Sequence, residues 1–338
     1  MPETKPLPAP PPGKTGWPWI RGNGVRPETG ADLRVTIVTP SFNQVDYLEE
    51  TIRSVLLQSY HDVEYIVVDG GSTDGSIDLI RKYEPWITWW ISAPDGGQAE
   101  AINRGLSRAT GSIVGWLNSD DVFYPDFIAN RVAEFMAAPE VDLFYGDVDV
   151  GSTSEVSEAI MRGRMTDFET MVRTLDVPIP QQSALWRAEV LEKVGDLDPR
   201  WQVVLDRELF LRIARHCRLE YRPWVTGLFR TQPGSKSVVE QLKWVEELPQ
   251  MYSEFFSAPD LPPEIKILER ESLVAMEHLC SQLLWRNHRR RQWFGCVGRA
   301  FGRSPRMFAR QFIVGGARSK VRGALRRLGN IVERRATS

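Results

Sequence analysis

Cysteine is scarce in this chain: 338 residues hold three, Cys217, Cys280 and Cys296, far apart and odd in number. Neither a disulfide framework nor a zinc spacing can be built from them. No run of about 18 apolar residues occurs, so no membrane-spanning helix is predicted. The opening stretch MPETKPLPAPPPGK lacks the apolar centre of a secretory signal, and a cytoplasmic location is expected. A GxGxxG fingerprint and a P-loop lysine are also missing, which excludes two common phosphate-binding designs. Acid is nearly absent from one region. From Arg286 to the end, a single acid, Glu333, faces 15 Lys and Arg. The net charge of −2 therefore divides into +14 on this segment and −16 on residues 1–285.

What is present is strongly patterned. Residues 1–30 are rich in proline, have no apolar periodicity and read as a flexible leader. From Arg34 onward, short apolar runs alternate with helical spacings. VTIVTPSF precedes Asp46–Gln58, VEYIVVDGG precedes Asp74–Tyr83, ITWWISAPD precedes Gln98–Leu106, SIVGWLN precedes Asp126–Ala137, and VDLFYGDVDV closes the series. Five strands with four helices between them predict one parallel α/β sheet, whose ligand edge lies at the strand C-terminal ends. Thr39, Asp69, Asp95 and the run Asn118–Asp121 all fall there. After about residue 150 the alternation stops. A helix is expected over Asp206–His216, and residues 239–285 read as helices broken at APDLPPE.

Each polar motif has a structural and a chemical reading. The adjacent carboxylates of NSDD at 118–121 suit a hard divalent cation that bridges phosphate oxygens, or an Asp-rich turn capping a helix. VVDGGSTDGS at 67–76 is either a nucleotide-facing turn or a plain strand–turn–helix junction. Arg104 reads as a solvated helix residue, and Trp89, Trp90 and Trp186 as sheet packing. Asp206 stands where it could cap its helix or serve as a base.

In their order, TPSFNQ, VVDGGSTDGS, SAPDGGQAEAINRG, ATGSIVGWLNSDD and VLDRELFLRIA resemble the family 2 glycosyltransferases of the GT-A fold. The likeness is greatest to the bacterial subgroup that makes O-antigen, capsule and exopolysaccharide, and it covers roughly residues 33–235. It implies a Rossmann-like sheet binding a nucleotide sugar over 31–150, an acceptor half over 151–238 and a helical extension over 239–338. It also implies inverting, non-processive transfer from a nucleotide diphosphate sugar to a glycan or lipid-linked acceptor, aided by Mg2+ or Mn2+. By the same resemblance, Thr39, Pro40, Asp69, Asp95, Asn118 and Asp120 would bind the nucleotide sugar. Asp121 would ligate the metal, and Asp206 would be the catalytic base. Gln181 and Gln182 would lie on the acceptor side, and Arg230 and Lys236 would be able to meet phosphate. The pattern departs at Gly70, where many relatives carry an aspartate, and at Gln232, where a histidine is common.

The basic segment 286–338, interleaved with aromatics, reads as amphipathic helices on anionic lipid, as a nucleic-acid binder or as a solvated tail balancing the acidic body; because acceptors in the family it resembles are often lipid-linked, it is expected on an anionic membrane at the inner face of the cell membrane. Nucleic acid is not expected as its partner. Two other classes compete with the transferase reading: a nucleotidyltransferase, disfavoured because TPSFNQ is no Gly-rich basic loop, and a noncatalytic adaptor with a degenerate transferase domain.

Overall fold

The computed structural model describes residues 6–20, 33–153, 157–232 and 234–309. The first half alternates as the apolar runs dictate: β1 (Val35–Ser41), α1 (Val45–Leu56), β2 (Val63–Asp69), α2 (Ser76–Tyr83), β3 (Trp89–Ser92), α3 (Gln98–Leu106) and β4 (Ile113–Trp116). All four strands are parallel, in the order β3-β2-β1-β4. β1 and β4 are buried along their whole length, which is why they read as continuous apolar runs rather than alternating ones. α1 turns Leu48, Ile52 and Val55 inward, the stripe its spacing predicts. The registers align the strand ends, with Ser41 opposite Asp69 and Asp69 opposite Ser92. β4 runs beside β1 to Val38, so Asn118 follows within two residues on the same edge.

The chain continues through β5 (Val122–Phe123), α4 (Phe127–Ala137), β6 (Leu143–Gly151), β7 (Ala159–Met161), α5 (Phe168–Thr174), β8 (Leu185–Arg187), α6 (Glu189–Val194), α7 (Leu205–His216) and β9 (Leu219–Arg230). Here the expectation of a single parallel sheet is corrected. β6 does not join β4; the short antiparallel strand β8 lies between them, pairing with both. Gly115 makes room for it, since a Cβ there would fall 2.4 Å from a Leu185 methyl. Trp186 of β8 is fully buried, edge-on to Trp116. β9 runs parallel to β6 and antiparallel to β5, which carries Arg230 back to the end of β4.

Residues 6–20 differ from the flexible leader expected of 1–30, because a buried side chain fastens them. The guanidinium of Arg53, on α1, donates to the carbonyls of Pro8, Pro18 and Trp19 at 2.8, 3.2 and 2.9 Å. Trp17 donates to Phe123 O at 2.7 Å, and Trp19 is buried. The remainder of that leader, 1–5 and 21–30, lies outside the described residues, as does 310–338 of the basic segment.

The chain divides into two compact units, 1–168 with 177–239, and 169–176 with 240–338. The first holds the sheet and the short α8 (Lys236–Val239). The second is helical: α9 (Lys243–Ser257), α10 (Pro263–Lys266), α11 (Glu269–Arg286), α12 (Arg290–Arg303) and α13 (Pro305–Phe308). Ser272 of α11 donates to Val172 O at 2.7 Å, tying the 169–176 segment into this unit. Among the described residues no helix is long and apolar enough to cross a membrane.

Candidate active site

The turn after β2 is built by Asp69. Its carboxylate accepts from Gly71 N at 3.0 Å, Ser72 N at 2.9 Å, Ser72 Oγ at 2.5 Å and Ser92 Oγ at 2.6 Å, and the residue is wholly buried. With both oxygens filled from within, Asp69 shapes the loop a nucleotide would meet rather than facing a nucleotide. Asn43 and Asp74 stitch this turn to the one after β1: Asn43 Oδ1 accepts from Thr73 N at 2.9 Å, and Asp74 accepts from Val45 N at 2.9 Å. Thr39 and Pro40, expected at the nucleotide, are buried in the sheet instead, where the Tyr65 hydroxyl donates to Thr39 Oγ1 at 3.1 Å. The residue of this strand end that meets solvent is Phe42, 59% exposed. Sequence reasoning missed it, because an aromatic beside a β-branched run reads as core.

Phe42, Gly70 and Asp95 form one corner. A Cβ on Gly70 would lie 3.1 Å from one Asp95 carboxylate oxygen and 3.3 Å from both the other and the Phe42 ring. The absence of a side chain at Gly70 thus leaves the surface between the ring and the carboxylate open. Asp95 also accepts from Gly97 N at 2.9 Å, which holds its carboxylate at the start of α3.

The acidic turn at the end of β4 is the centre of a polar network. Asp121 is wholly buried and accepts from Arg230 N at 2.9 Å, Gln182 Nε2 at 2.8 Å and Asn118 Nδ2 at 3.1 Å. Burial, then the neighbouring Asp120 charge, pushes its pKa up to about 8. Asp120, on the other side of the turn, is partly exposed and takes one long bond, from Gln232 Nε2 at 3.3 Å. Burial raises its pKa too. The open carboxylate of the pair is therefore Asp120, whereas Asp121, expected as the metal ligand, is enclosed by donors. The turn caps no helix: β5 follows directly, and α4 starts after Asp126.

Three other expectations change here. Gln181 and Gln182 are 5% exposed and held inward, Gln181 donating to Trp116 O at 2.6 Å. They brace the acidic turn instead of offering themselves to an acceptor. Arg230 is 3% exposed and committed: Nε to Asp120 O at 2.8 Å, Nη1 to Ser152 O at 3.0 Å, and Nη2 paired with buried Glu50. No face of this guanidinium is left for phosphate. Lys236 is exposed, and its ammonium lies 3.3 Å from Gln98 Oε1; the Gln98 amide in turn donates to Asn118 Oδ1 at 2.7 Å. A lysine therefore stands one residue away from the acidic turn.

Asp206 is the second residue of α7, after an N-cap at Val204, so it is not the cap itself. Its carboxylate is held by backbone N–H groups, that of the adjacent Arg207 at 2.7 Å and its own. Burial raises its pKa, partly offset by those bonds and by the Arg207 charge. One turn further on, Phe210 stacks on Trp116 with ring centres 6.3 Å apart. One turn back, the Gln202 amide lies against Gly97, where a Cβ would meet it at 2.7 Å. These contacts bracket Asp206 between the Asp95 loop and the end of β4.

A divalent cation suits this donor set within limits. Among the described residues no group of three or more His, Cys, Asp and Glu could hold a metal alone. One open carboxylate beside a buried one, both with raised proton affinity, matches a cation held by one or two carboxylates and completed by diphosphate and water.

The sequence pattern of glycosyl transferase family 2 matches residues 36–195. A Mycobacterium tuberculosis protein described as an uncharacterized glycosyltransferase is 31% identical over 185 residues, 54% of this chain and 70% of its own. TuaG of Bacillus subtilis, provisionally named a teichuronic acid biosynthesis glycosyltransferase, is 41% identical over 105 residues, 30% of this chain and 41% of its own. Among solved structures, Staphylococcus aureus TarS bound to UDP-GlcNAc superposes with a TM-score of 0.58 at 16% identity, over 81% of this chain and 82% of that one. The Pyrobaculum calidifontis mannosyltransferase PcManGT, solved with GDP-Man and Mn2+, gives 0.56 at 20% identity over 84% and 79%. The mixed sheet, the acidic turn at its edge and these matches together show that the chain belongs to glycosyl transferase family 2 and is a glycosyltransferase of the GT-A fold.

Proposed function

We propose that this glycosyltransferase moves a sugar from a nucleoside diphosphate donor to a hydroxyl of a lipid-linked glycan, with inversion, during synthesis of a surface polysaccharide such as O-antigen or capsule. One observation carries the reading: Phe42, Asp95 and Asp120 follow the C-terminal ends of the parallel strands β1, β3 and β4, and Asp206 lies on α7 between Gln202, which touches Gly97, and Phe210, which stacks on Trp116. TarS and PcManGT, which share the fold, were solved with the nucleotide sugars UDP-GlcNAc and GDP-Man, and the name of TuaG assigns it to teichuronic acid biosynthesis.

In this reading the Phe42 ring stacks on the base, and Asp95 accepts hydrogen bonds from base or ribose. Asp120 would hold Mg2+ or Mn2+, with Asp121 behind it fixing the turn, and Lys236 would be the cation available to the diphosphate. The bound cation would neutralise the departing diphosphate. Asp206 takes the proton of the acceptor hydroxyl as that oxygen bonds to the anomeric carbon, on the face opposite the leaving diphosphate. A carboxylate oriented by backbone N–H groups and with a pKa raised by burial is suited to that task. One carboxylate base with no enzyme-linked intermediate gives inversion of configuration. The basic segment from Arg286 onward holds the enzyme on the anionic inner face of the cell membrane, where a lipid-linked acceptor resides.

The test is thermal stability against UDP, GDP, dTDP and CDP, each with and without Mn2+. A nucleotide at 100 times its dissociation constant stabilises by about 2.7 kcal/mol. One nucleotide should shift the melt chiefly when Mn2+ is present, and Asp120→Ala should abolish the metal-dependent part. An Asp120→Ala protein that keeps the full shift would remove the cation from this site.

A further inference from the structure

α12 is amphipathic twice over. Cys296 and Ala300 are buried, as the inward side of a helix should be. On a second side Phe294 is 67% and Phe301 54% exposed, seven residues and thus about two turns apart on one face. Trp285, at the end of α11, is 51% exposed and joins them through Trp293, with ring centres at 5.2 Å and then 4.9 Å to Phe294. The Arg290 guanidinium lies 3.4 Å over the Trp285 ring. Between 286 and 306 the sequence places seven arginines and no acid, and all seven are exposed. Of these, Arg299 alone is paired with a carboxylate among the described residues, that of Glu277.

Exposed rings at helical spacing are costly in water and unusual on a surface this rich in charge. Lone arginines would need no aromatic partners for solubility, and lone aromatics would need no cations. Together they match one environment, an anionic bilayer surface, where rings enter the boundary between headgroups and acyl chains and guanidinium groups meet phosphate. We infer that the face formed by Trp285 at the end of α11 with Phe294 and Phe301 of α12 is the surface by which this enzyme seats itself on anionic lipid. The inference rests on the membrane reading of the basic segment and narrows it to described residues of that segment. About 20 Å of helix lies flat on the membrane in this arrangement, with the rings below and the arginines at the rim.

Cosedimentation of the full-length protein with phosphatidylglycerol–phosphatidylcholine vesicles tests it, comparing wild type, Phe294→Ser/Phe301→Ser and Arg289→Gln/Arg290→Gln/Arg291→Gln. Each ring removed should weaken binding by about tenfold or more. The arginine variant should lose the preference over pure phosphatidylcholine, and all three proteins should melt alike, since the changed side chains are exposed. If the double phenylalanine variant binds as tightly as wild type, the α12 face is overturned while membrane binding by the rest of the basic segment stands. A wild-type protein that does not sediment with anionic vesicles overturns both. A wild-type dimer that becomes a monomer in the phenylalanine variant, measured by light scattering, would assign the face to a second copy instead.

Discussion

Arg230→Met offers the sharpest test of how the acidic turn is held. The wild-type guanidinium is 3% exposed and its partner Glu50 10%, so this ion pair is shielded from solvent and salt. Removing the cation takes the counter-charge from a buried carboxylate, and the carbonyls of Asp120 and Ser152 lose their donors at 2.8 and 3.0 Å. Breaking a buried pair from one side costs about 3–5 kcal/mol. For a unit of this size, each kcal/mol lowers the melting temperature by about 2–4 °C, so a fall of roughly 6–20 °C is expected. The Arg230 backbone N–H to Asp121 survives any substitution, so the damage should be to stability first and to metal-dependent nucleotide affinity second. Urea denaturation followed by circular dichroism measures it. Glu50→Gln combined with Arg230→Met should recover about 2 kcal/mol by removing the charge that Arg230 no longer balances. An Arg230→Met protein within about 1 kcal/mol of wild type would refute the clamp.

Asp206→Asn should leave donor binding intact while lowering transfer at least about a hundredfold, the scale of a lost general base. Because burial raises the Asp206 pKa, the acid limb of the wild-type rate profile should lie above the ordinary aspartate value of about 3.9. The same shift has a sign for stability. The folded state binds this proton more tightly than the unfolded one, so the ionised group opposes folding at neutral pH, and that penalty fades as pH falls through the folded pKa. Asp206→Asn should therefore be as stable as wild type or more so at pH 7, and near-normal turnover would return Asp206 to a purely structural role. Phe42→Ala should weaken nucleotide binding by about 1–3 kcal/mol, the scale of a base stacked on a ring, equally with and without Mn2+. Calorimetric titration that finds unchanged affinity would take the base away from Phe42.

The early strands and helices were legible because burial on both faces leaves unbroken apolar runs and because α1 and α3 carry one apolar stripe each. Their order alone placed Asp95 and Asp120 toward one edge, whereas Asp206 was marked only by the family resemblance. β8 was not legible as a sheet member between two others: three residues are too few to show a period, and its place depends on the missing side chain of Gly115, 70 residues away. The division of labour between Asp120 and Asp121 was equally hidden. Neighbouring aspartates look alike in a sequence, and only the fold brings Gln182 and Arg230 round to enclose one of them. Gln181 and Arg230 misled for the same reason, since a polar residue satisfied from within cannot be told from one waiting for a ligand. Thr39 and Pro40 lay where an edge was expected, yet β1 runs on to Ser41 and leaves the edge to Phe42.

The three carbonyl partners of Arg53 all come from residues 8–19. A stretch that composition alone would mark for trimming is in effect a side-chain receptor for α1, and α1 in turn carries Thr51, whose hydroxyl donates to Asp121 O at 2.7 Å. Shortening the protein to begin at the first strand would strip a buried cation on the same helix of its acceptors, only two residues along from the Thr51 contact to the acidic turn. Preparations meant for enzymology should therefore keep the proline-rich start, and tags are better carried at a distance from it.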